Sequence, residues 1–540
     1  MNKYIKFFIF QLYFILFLSG CVSLNQPKKI SDPINYSDEN VVENEIKTIR
    51  EIRLEDCTKA LWRAKLLNNK DIILECQNIV YMKLEEALEN KNYFDTRKYY
   101  LSLKTVNFNF DSEIEDKVFN LSNSDVPGLT SENPKPPKNI SDCLNATCTI
   151  WVDRGIQVKN GAGYADIIIG SGFFIDKRGY LVTNHHVIES MVNPKYEGFS
   201  RLYIKLLSDS DTKIPAKVIG FDPVLDLALL KVEIEPEYVL SLGSSKDLSV
   251  GDKVSAIGTP IGLEGTLTSG IVSATDRKLT SLGNVFQIDA AINSGNSGGP
   301  LIDENLNVQA VVFAGMLQFQ GLNFAVPVEY LKQELPVLYN NSDSGEVIHN
   351  WLCGYGHTYR NGNKKAGLEV QYVMPGGSAF LSGLKSGDVI TEIDGNLIKS
   401  IDDYHFLMMK YQYGTILNCK FLRDNEEKTC LIFLENRPKD PLNQIYKSDL
   451  ICNSFVPIFG MKLIPASTMN HNSYKIESII KGSVADQMSF SENDFVTVRD
   501  VKFDNDKEYF IAQISTQRRK KGFLDISMIL SASYDSPYYF

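Results

Sequence analysis

Three short stretches carry side chains able to do acyl-transfer chemistry: "TNHHV" (183–187), "DLALLKV" (226–232) and "GNSGG" (295–299). A serine hydroxyl becomes a nucleophile when a histidine takes its proton and a buried carboxylate orients the imidazole. Ser297 stands in "AINSGNSGGPL", where a plain turn would account for Asn, Ser and Gly. The same glycines would also let neighbouring backbone N–H groups converge on one developing oxyanion. Each stretch alone is weak: a histidine beside a strand end is more often structural, and "DLALL" alone is only a strand. The order His, Asp, Ser within one strand-rich region selects the nucleophile reading over the turn.

The elements that must hold these residues are short apolar runs. "IIIGSGFFIDKRGYLVTNHHVI", "AKVIGFDPVLDLALLKV", "KVSAIGTPIG", "TSGIVSA", "VQAVVFAG" and "LNFAVPV" are punctuated by Gly and Asn turns. Many short strands at such spacing predict an all-β barrel or sandwich over 141–340, closing on a helix from 327, with a hinge at "NSDSG" (341–345). Two α+β modules follow, at 350–437 and 455–530, and they echo each other: "LEVQYVMPGGSAFLS" with "YKIESIIKGSVADQM", and "SGDVITE" with "ENDFVTV". Upstream, 46–122 has apolar residues at three- and four-residue spacing broken by Asn-rich joints, which predicts a small all-α domain acting as a spacer. Residues 123–140, rich in Pro, Ser and Asn, are a linker, and 531–540 form a tail.

A chain of 540 residues is too long for one core. Its hydrophobic content of 44% and charged content of 23% are ordinary for a globular protein. A formal charge of −10 argues against a nucleic-acid partner. Residues 1–20 have the charged start and short apolar run of a secretory signal, followed by a polar tether over 22–45. "LSGC" resembles the lipobox of bacterial lipoproteins, with Cys21 as the lipidated residue; an uncleaved anchor is the alternative. Both place the remainder outside the cytoplasm and attached to a membrane. Eight further cysteines suit a disulfide-permissive compartment, although reduced, buried thiols fit equally. No Cys/His spacing resembles a zinc site, so neither metal nor cofactor is expected.

"GSGFFIDKRGYLVTNHHV", "DPVLDLALLKV", "LGSSKDLSVGDKVSAIGTPIGLEGTLTSGIVSA" and "IDAAINSGNSGGPLID" closely resemble the HtrA (Deg) family of serine proteases over roughly 140–340, and the two later modules resemble its PDZ domains. The resemblance implies a chymotrypsin-like double barrel with His186 as base, Asp226 as orienting acid and Ser297 as nucleophile, and His185 as the filler of the T-N-x-H-V motif. It implies an oxyanion hole made by the N–H groups of Gly295 and Ser297. Ala291 and Ile292 stand where trypsin-like enzymes hold a pocket aspartate, so the specificity pocket should be apolar. Asn296 replaces the aspartate that zymogen-activated proteases pair with a freed N-terminus, which favours control by loop ordering. Arg277 matches a regulatory arginine of the family's sensor loop, or is simply an exposed arginine on a turn. Extra residues near 191–200 and a short loop after Arg277 depart from the family pattern and bear on the homotrimer that relatives build.

PDZ domains take extended peptides as an added strand. In the first module "WLCGYG" resembles the peptide-binding loop, giving Leu352, Cys353, Gly354 and Tyr355 as candidates, although Cys353 interrupts the usual W-L-G pattern. The second lacks a comparable loop and reads as structural. Expected partners are therefore unfolded polypeptides or exposed C-terminal segments. The tail "SPYYF" (536–540) is a candidate internal ligand for the first module, against the alternatives of a frayed end or packing on the second. The function expected is a membrane-tethered extracytoplasmic endopeptidase for misfolded or mislocalised envelope proteins. The rivals are a peptide-binding chaperone or scaffold with dormant proteolysis, and a regulatory protease with one dedicated substrate.

Overall fold

The computed structural model describes residues 36–540 except 122–124, 130–134, 260–264, 280, 294, 316–321, 341–344, 467–471, 506 and 520–522. The signal segment, Cys21, most of the tether and most of the 341–345 hinge lie outside the described residues. Among the described residues no helix is long and apolar enough to cross a membrane.

Helices Glu39–Ile52, Cys57–Leu67, Lys70–Glu89, Tyr93–Thr105 and Ser112–Asn120 make up the N-terminal region. The Asn joints are its caps: the Asn69 and Asn92 side chains accept hydrogen bonds from first-turn N–H groups, and Asn68 closes its helix in the left-handed conformation. This region corrects the expectation of a spacer. Trp62 is fully buried, stacks on Phe433 at 5.4 Å and donates its indole N–H to the Leu431 carbonyl. Ile416 and Phe433 of the first PDZ-like module belong to the same core as the helices. Apolar residues that a small bundle could not bury by itself are buried against that module's outer strands.

Twelve strands then form two closed barrels. The first uses β1 (Thr147–Lys159), β2 (Ala162–Asp176), β3 (Tyr180–Thr183), β4 (Arg201–Leu206), β5 (Asp209–Asp222) and β6 (Leu227–Val232) in the order β1-β2-β3-β6-β5-β4. The second uses β7 (Lys253–Gly258), β8 (Thr266–Arg277), β9 (Val285–Ile288), β10 (Pro300–Ile302), β11 (Val308–Gly315) and β12 (Asn323–Pro327) in the order β10-β11-β12-β9-β8-β7. Each barrel has its own core, and a third cluster joins them. There Phe173, Val182 and Leu229 of the first barrel meet Ile257, Ile302 and Val311 of the second under the helix Val328–Asn340. This seam brings the histidine edge of one barrel to the serine turn of the other.

The first PDZ-like module holds β13 (Asn350–Trp351), β14 (Gly354–Asn361), β15 (Lys364–Val373), β16 (Val389–Ile393), β17 (Asn396–Leu397), β18 (Ile416–Arg423), β19 (Glu426–Phe433) and β20 (Glu435–Asn436), with a helix Ile401–Met408. Its main sheet runs β14-β15-β16-β18-β19. The second has β21 (Met461–Pro465), β22 (Ser473–Ile479), β23 (Phe495–Asp504), β24 (Tyr509–Arg519) and β25 (Phe523–Ser533) in sequential order. Helices Pro441–Ser448 and Ile451–Phe459 share its core through Leu442, Tyr446 and Phe455, so this unit begins before residue 455. Where the first module places its helix 401–408, the second passes by a hairpin from β23 to β24. Among the described residues no helix stands there to supply a groove wall. The eight described cysteines are free thiols, with Cys419 and Cys430 directly opposed across β18 and β19.

Candidate active site

β3 ends at Thr183, and the buried Asn184 leads into the helix His185–Val192. Asp226 lies in the turn between β5 and β6 with φ 56°, a left-handed conformation that Asp adopts more readily than most residues. Three hydrogen bonds pin that turn. Asp222 Oδ1 accepts the Val224 and Leu225 N–H groups, and Asn184 Nδ2 donates to the Asp226 carbonyl at 2.7 Å. The Asp226 carboxylate then spends both oxygens on one residue: Oδ2 lies 2.7 Å from His186 Nδ1, and Oδ1 accepts the His186 backbone N–H at 2.8 Å. A carboxylate facing Nδ1 places the proton there and leaves Nε2 as an acceptor. Burial pulls the His186 pKa down, but the hydrogen bond to Asp226 and its charge outweigh it, and the net shift is upward. His185 points elsewhere. It stacks on Phe221 at 5.3 Å, and burial lowers its pKa.

Ser297 sits on the loop between β9 and β10. Asn296 N–H bonds the Asn293 carbonyl, Gly299 N–H bonds the Asn296 carbonyl, and Gly298 N–H bonds the Val312 carbonyl. Gly298 has φ 83°, and a Cβ there would fall 2.3 Å from the Ser171 carbonyl oxygen, so the two barrels meet too closely for any side chain. Ser171 stitches the turn to the first barrel: its N–H donates to the Ser297 carbonyl (2.8 Å) and its hydroxyl to the Gly295 carbonyl (2.6 Å). Among the described residues, the backbone N–H groups of Gly295 and Ser297 donate to no partner. Ser297 Oγ is 3.5 Å from the Phe313 carbonyl, and no hydrogen bond joins it to His186. Asn296 is buried with its Oδ1 unpartnered.

The remaining candidates separate. Ala291 is exposed beside the turn, whereas Ile292 is buried in the core of the second barrel. Arg277 bonds Gln287 within its own barrel at 2.8 Å. Its neighbour Lys278, which the motif reading did not single out, makes the longer reach: its ammonium pairs with Asp402 on the helix 401–408. Leu352 and Cys353 are buried, and Gly354 and Tyr355 open β14 along a groove that residues 538–540 fill. A second polar group was also missed. Asp222, Glu334 and His349 are all buried, with carboxylate oxygens and an imidazole nitrogen within 4.8 Å of one another. A helical pattern in which Leu331, Leu335 and Leu338 face inward puts Glu334 on the buried face, a signal available in the sequence.

Family models match the domains of this architecture. Residues 170–311 match a trypsin-like peptidase domain, 355–434 a PDZ domain and 442–534 a TP0546 family PDZ domain, while 40–124 match a domain of unknown function, DUF8517. A probable periplasmic serine endoprotease DegP-like from Marinomonas sp. (strain MWYL1) is 32% identical over 61% of this chain and 70% of its own length. The protein of the same description from Pseudomonas fulva (strain 12-X) is 36% identical over 50% of this chain, which covers only 57% of that relative. A solved HtrA-type protease, AlgW with tripeptide, aligns over 56% of this chain and 98% of its own at 26% identity, with a TM-score of 0.47. With a trypsin-like double barrel followed by two PDZ domains, the chain belongs to the HtrA/DegP-like family of serine endoproteases.

Proposed function

We propose that this protein is an extracytoplasmic, membrane-tethered endopeptidase that cleaves misfolded or mislocalised envelope proteins, with Ser297 as nucleophile, His186 as general base and Asp226 as the group that orients it. The observation that carries the assignment is the paired engagement of Asp226 with the Nδ1 and backbone N–H of His186. It fixes the tautomer in which Nε2 accepts the Ser297 proton. Ser297 Oγ then attacks the scissile carbonyl, the developing oxyanion is received by the N–H groups of Gly295 and Ser297, and His186 returns the proton to the leaving amine. Water, activated by the same imidazole, releases the acyl group. The curated relatives carry "periplasmic" in their names, which supports the extracytoplasmic address. A lipid on Cys21 and a homotrimer complete the proposal, and mass measurement of membrane-extracted protein and its solution mass test them.

The contact of Ser297 Oγ with the Phe313 carbonyl, in place of His186, favours a second reading in which proteolysis is dormant and the protein holds peptides. Cleavage of unfolded casein by the wild type beside Ser297→Ala separates the two. Degradation that Ser297→Ala abolishes supports the endopeptidase. No degradation by either supports the dormant form, and degradation that starts only when one particular peptide is added supports a dedicated regulatory protease.

A further inference from the structure

The groove of the first PDZ domain, between β14 and the helix 401–408, is occupied by the chain's own residues 538–540. The segment lies antiparallel to β14, with Tyr539 opposite Tyr355. Gly354 N–H donates to the Phe540 oxygen and Phe540 N–H to the Gly354 carbonyl, both at 3.0 Å, and Gly356 N–H donates to the Tyr538 carbonyl at 2.9 Å. That is the hydrogen-bond ladder of an added strand.

The side chains alternate as a strand requires. Phe540 is 1% exposed, packs with Leu352 and Leu368 in the domain core and meets the Tyr404 ring edge-on at 5.7 Å. A Cβ on Gly354 would lie 2.4 Å from its ring, so glycine at this position is what admits an aromatic side chain. Tyr538 stacks on His357 at 4.2 Å and carries the Lys278 ammonium 5.6 Å from its ring. From the helix, the buried His405 Nε2 reaches the Tyr539 carbonyl at 2.9 Å, which assigns the proton to that nitrogen. Upstream, the buried Arg437 pairs with Asp535 at 2.6 Å and so holds the approach of the segment.

We infer that residues 536–540 are a built-in ligand that keeps this groove closed to other peptides. The inference adds control of peptide access to the function proposed above and does not depend on the chemistry of Ser297. A tethered segment is present at an effective concentration of roughly mM, so a free peptide competes poorly until the segment leaves.

The test uses the full chain carrying Ser297→Ala, so that neither binding nor its failure depends on cleavage. A fluorescent peptide of sequence SPYYF is titrated into this protein, into the same protein lacking 536–540 and into its Phe540→Asp variant, which expels the ring and leaves the rest of the tail intact. Hydrogen exchange at Gly354 and Gly356 is followed in all three. The expected result is affinity at least tenfold tighter in both altered proteins, loss of that gain when Gly354→Ala is added, and faster amide exchange without peptide. Equal affinity in all three, or exchange at the two glycines unchanged by removal of the segment, would overturn the inference.

Discussion

Glu334→Gln should change how stability depends on pH, and the direction follows from the site. Glu334 is 1% exposed, its Oε2 has no hydrogen-bond partner, and it faces Asp222 and His349 in the seam beneath the turn that carries Asp226. Burial pushes its pKa from 4.5 to about 8, the nearby Asp222 charge adds to the rise and His349 opposes it. The folded state therefore binds a proton that the unfolded chain has released between those values. The Glu334 contribution to stability is complete below about pH 4.5 and is lost as pH rises through about 8. His349 acts in the same direction. Burial lowers its pKa, but its contact with Asp222 at 2.9 Å outweighs that, so its folded value lies above 6.5 and its contribution is likewise lost on the alkaline side. At about 1.4 kcal/mol per pKa unit, the Glu334 contribution is of the order of a few kcal/mol. Glutamine keeps the shape without the ionisation. In a Ser297→Ala background, which prevents self-digestion, urea titrations from pH 5 to 9 should show the parent losing stability with rising pH. The Glu334→Gln protein should show a flatter profile and be the more stable of the two at pH 9. A parent whose stability rises over that range, or two parallel profiles, would refute the reasoning.

Replacing Asp226 with asparagine removes the hydrogen bond and charge that hold the His186 pKa up, so the acidic limb of the kcat/KM profile should move to lower pH. The amide also favours the wrong tautomer, and kcat should fall by the order of 10⁴; a limb that stays in place or moves up would contradict the assignment. Because Ala291, beside the serine turn, offers no carboxylate to a cationic side chain, cleavage should follow Val, Ala or Ile. A Lys or Arg there would be desolvated without a partner at a cost of several kcal/mol. Peptide mapping of casein fragments with most cuts after Lys or Arg would reject an apolar pocket.

Much of the double barrel was legible because its strands are rich in β-branched residues and separated by glycine turns, and because the residues around Ser297 and His186 form compact local motifs. What the sequence concealed depended on contacts between distant segments. The helical region looked like a spacer since its own pattern is amphipathic and ordinary; that Trp62 reaches Phe433 follows only from the fold. Ala291 and Ile292 are neighbours in the motif, yet the fold separates them: Ile292 turns into the core of the second barrel and Ala291 stays exposed. Lys278 carries no motif, and its ion pair with Asp402 joins two domains. The tail segment gave only a partial signal, two aromatics spaced by one residue that a strand places on one side, and the sequence left a frayed end or packing on the second module open.

The central claim is that Ser297 is activated by His186 held on Asp226, and labelling by a serine-directed fluorophosphonate tests it most directly. The unaltered protein, His186→Ala, His185→Ala and Ser297→Ala are treated in parallel, and the labelled residue is located by mass spectrometry. The account predicts label on Ser297 in the parent and in His185→Ala, and none in His186→Ala or Ser297→Ala. Label that persists in His186→Ala and disappears in His185→Ala, or that falls on a serine other than Ser297, would contradict it.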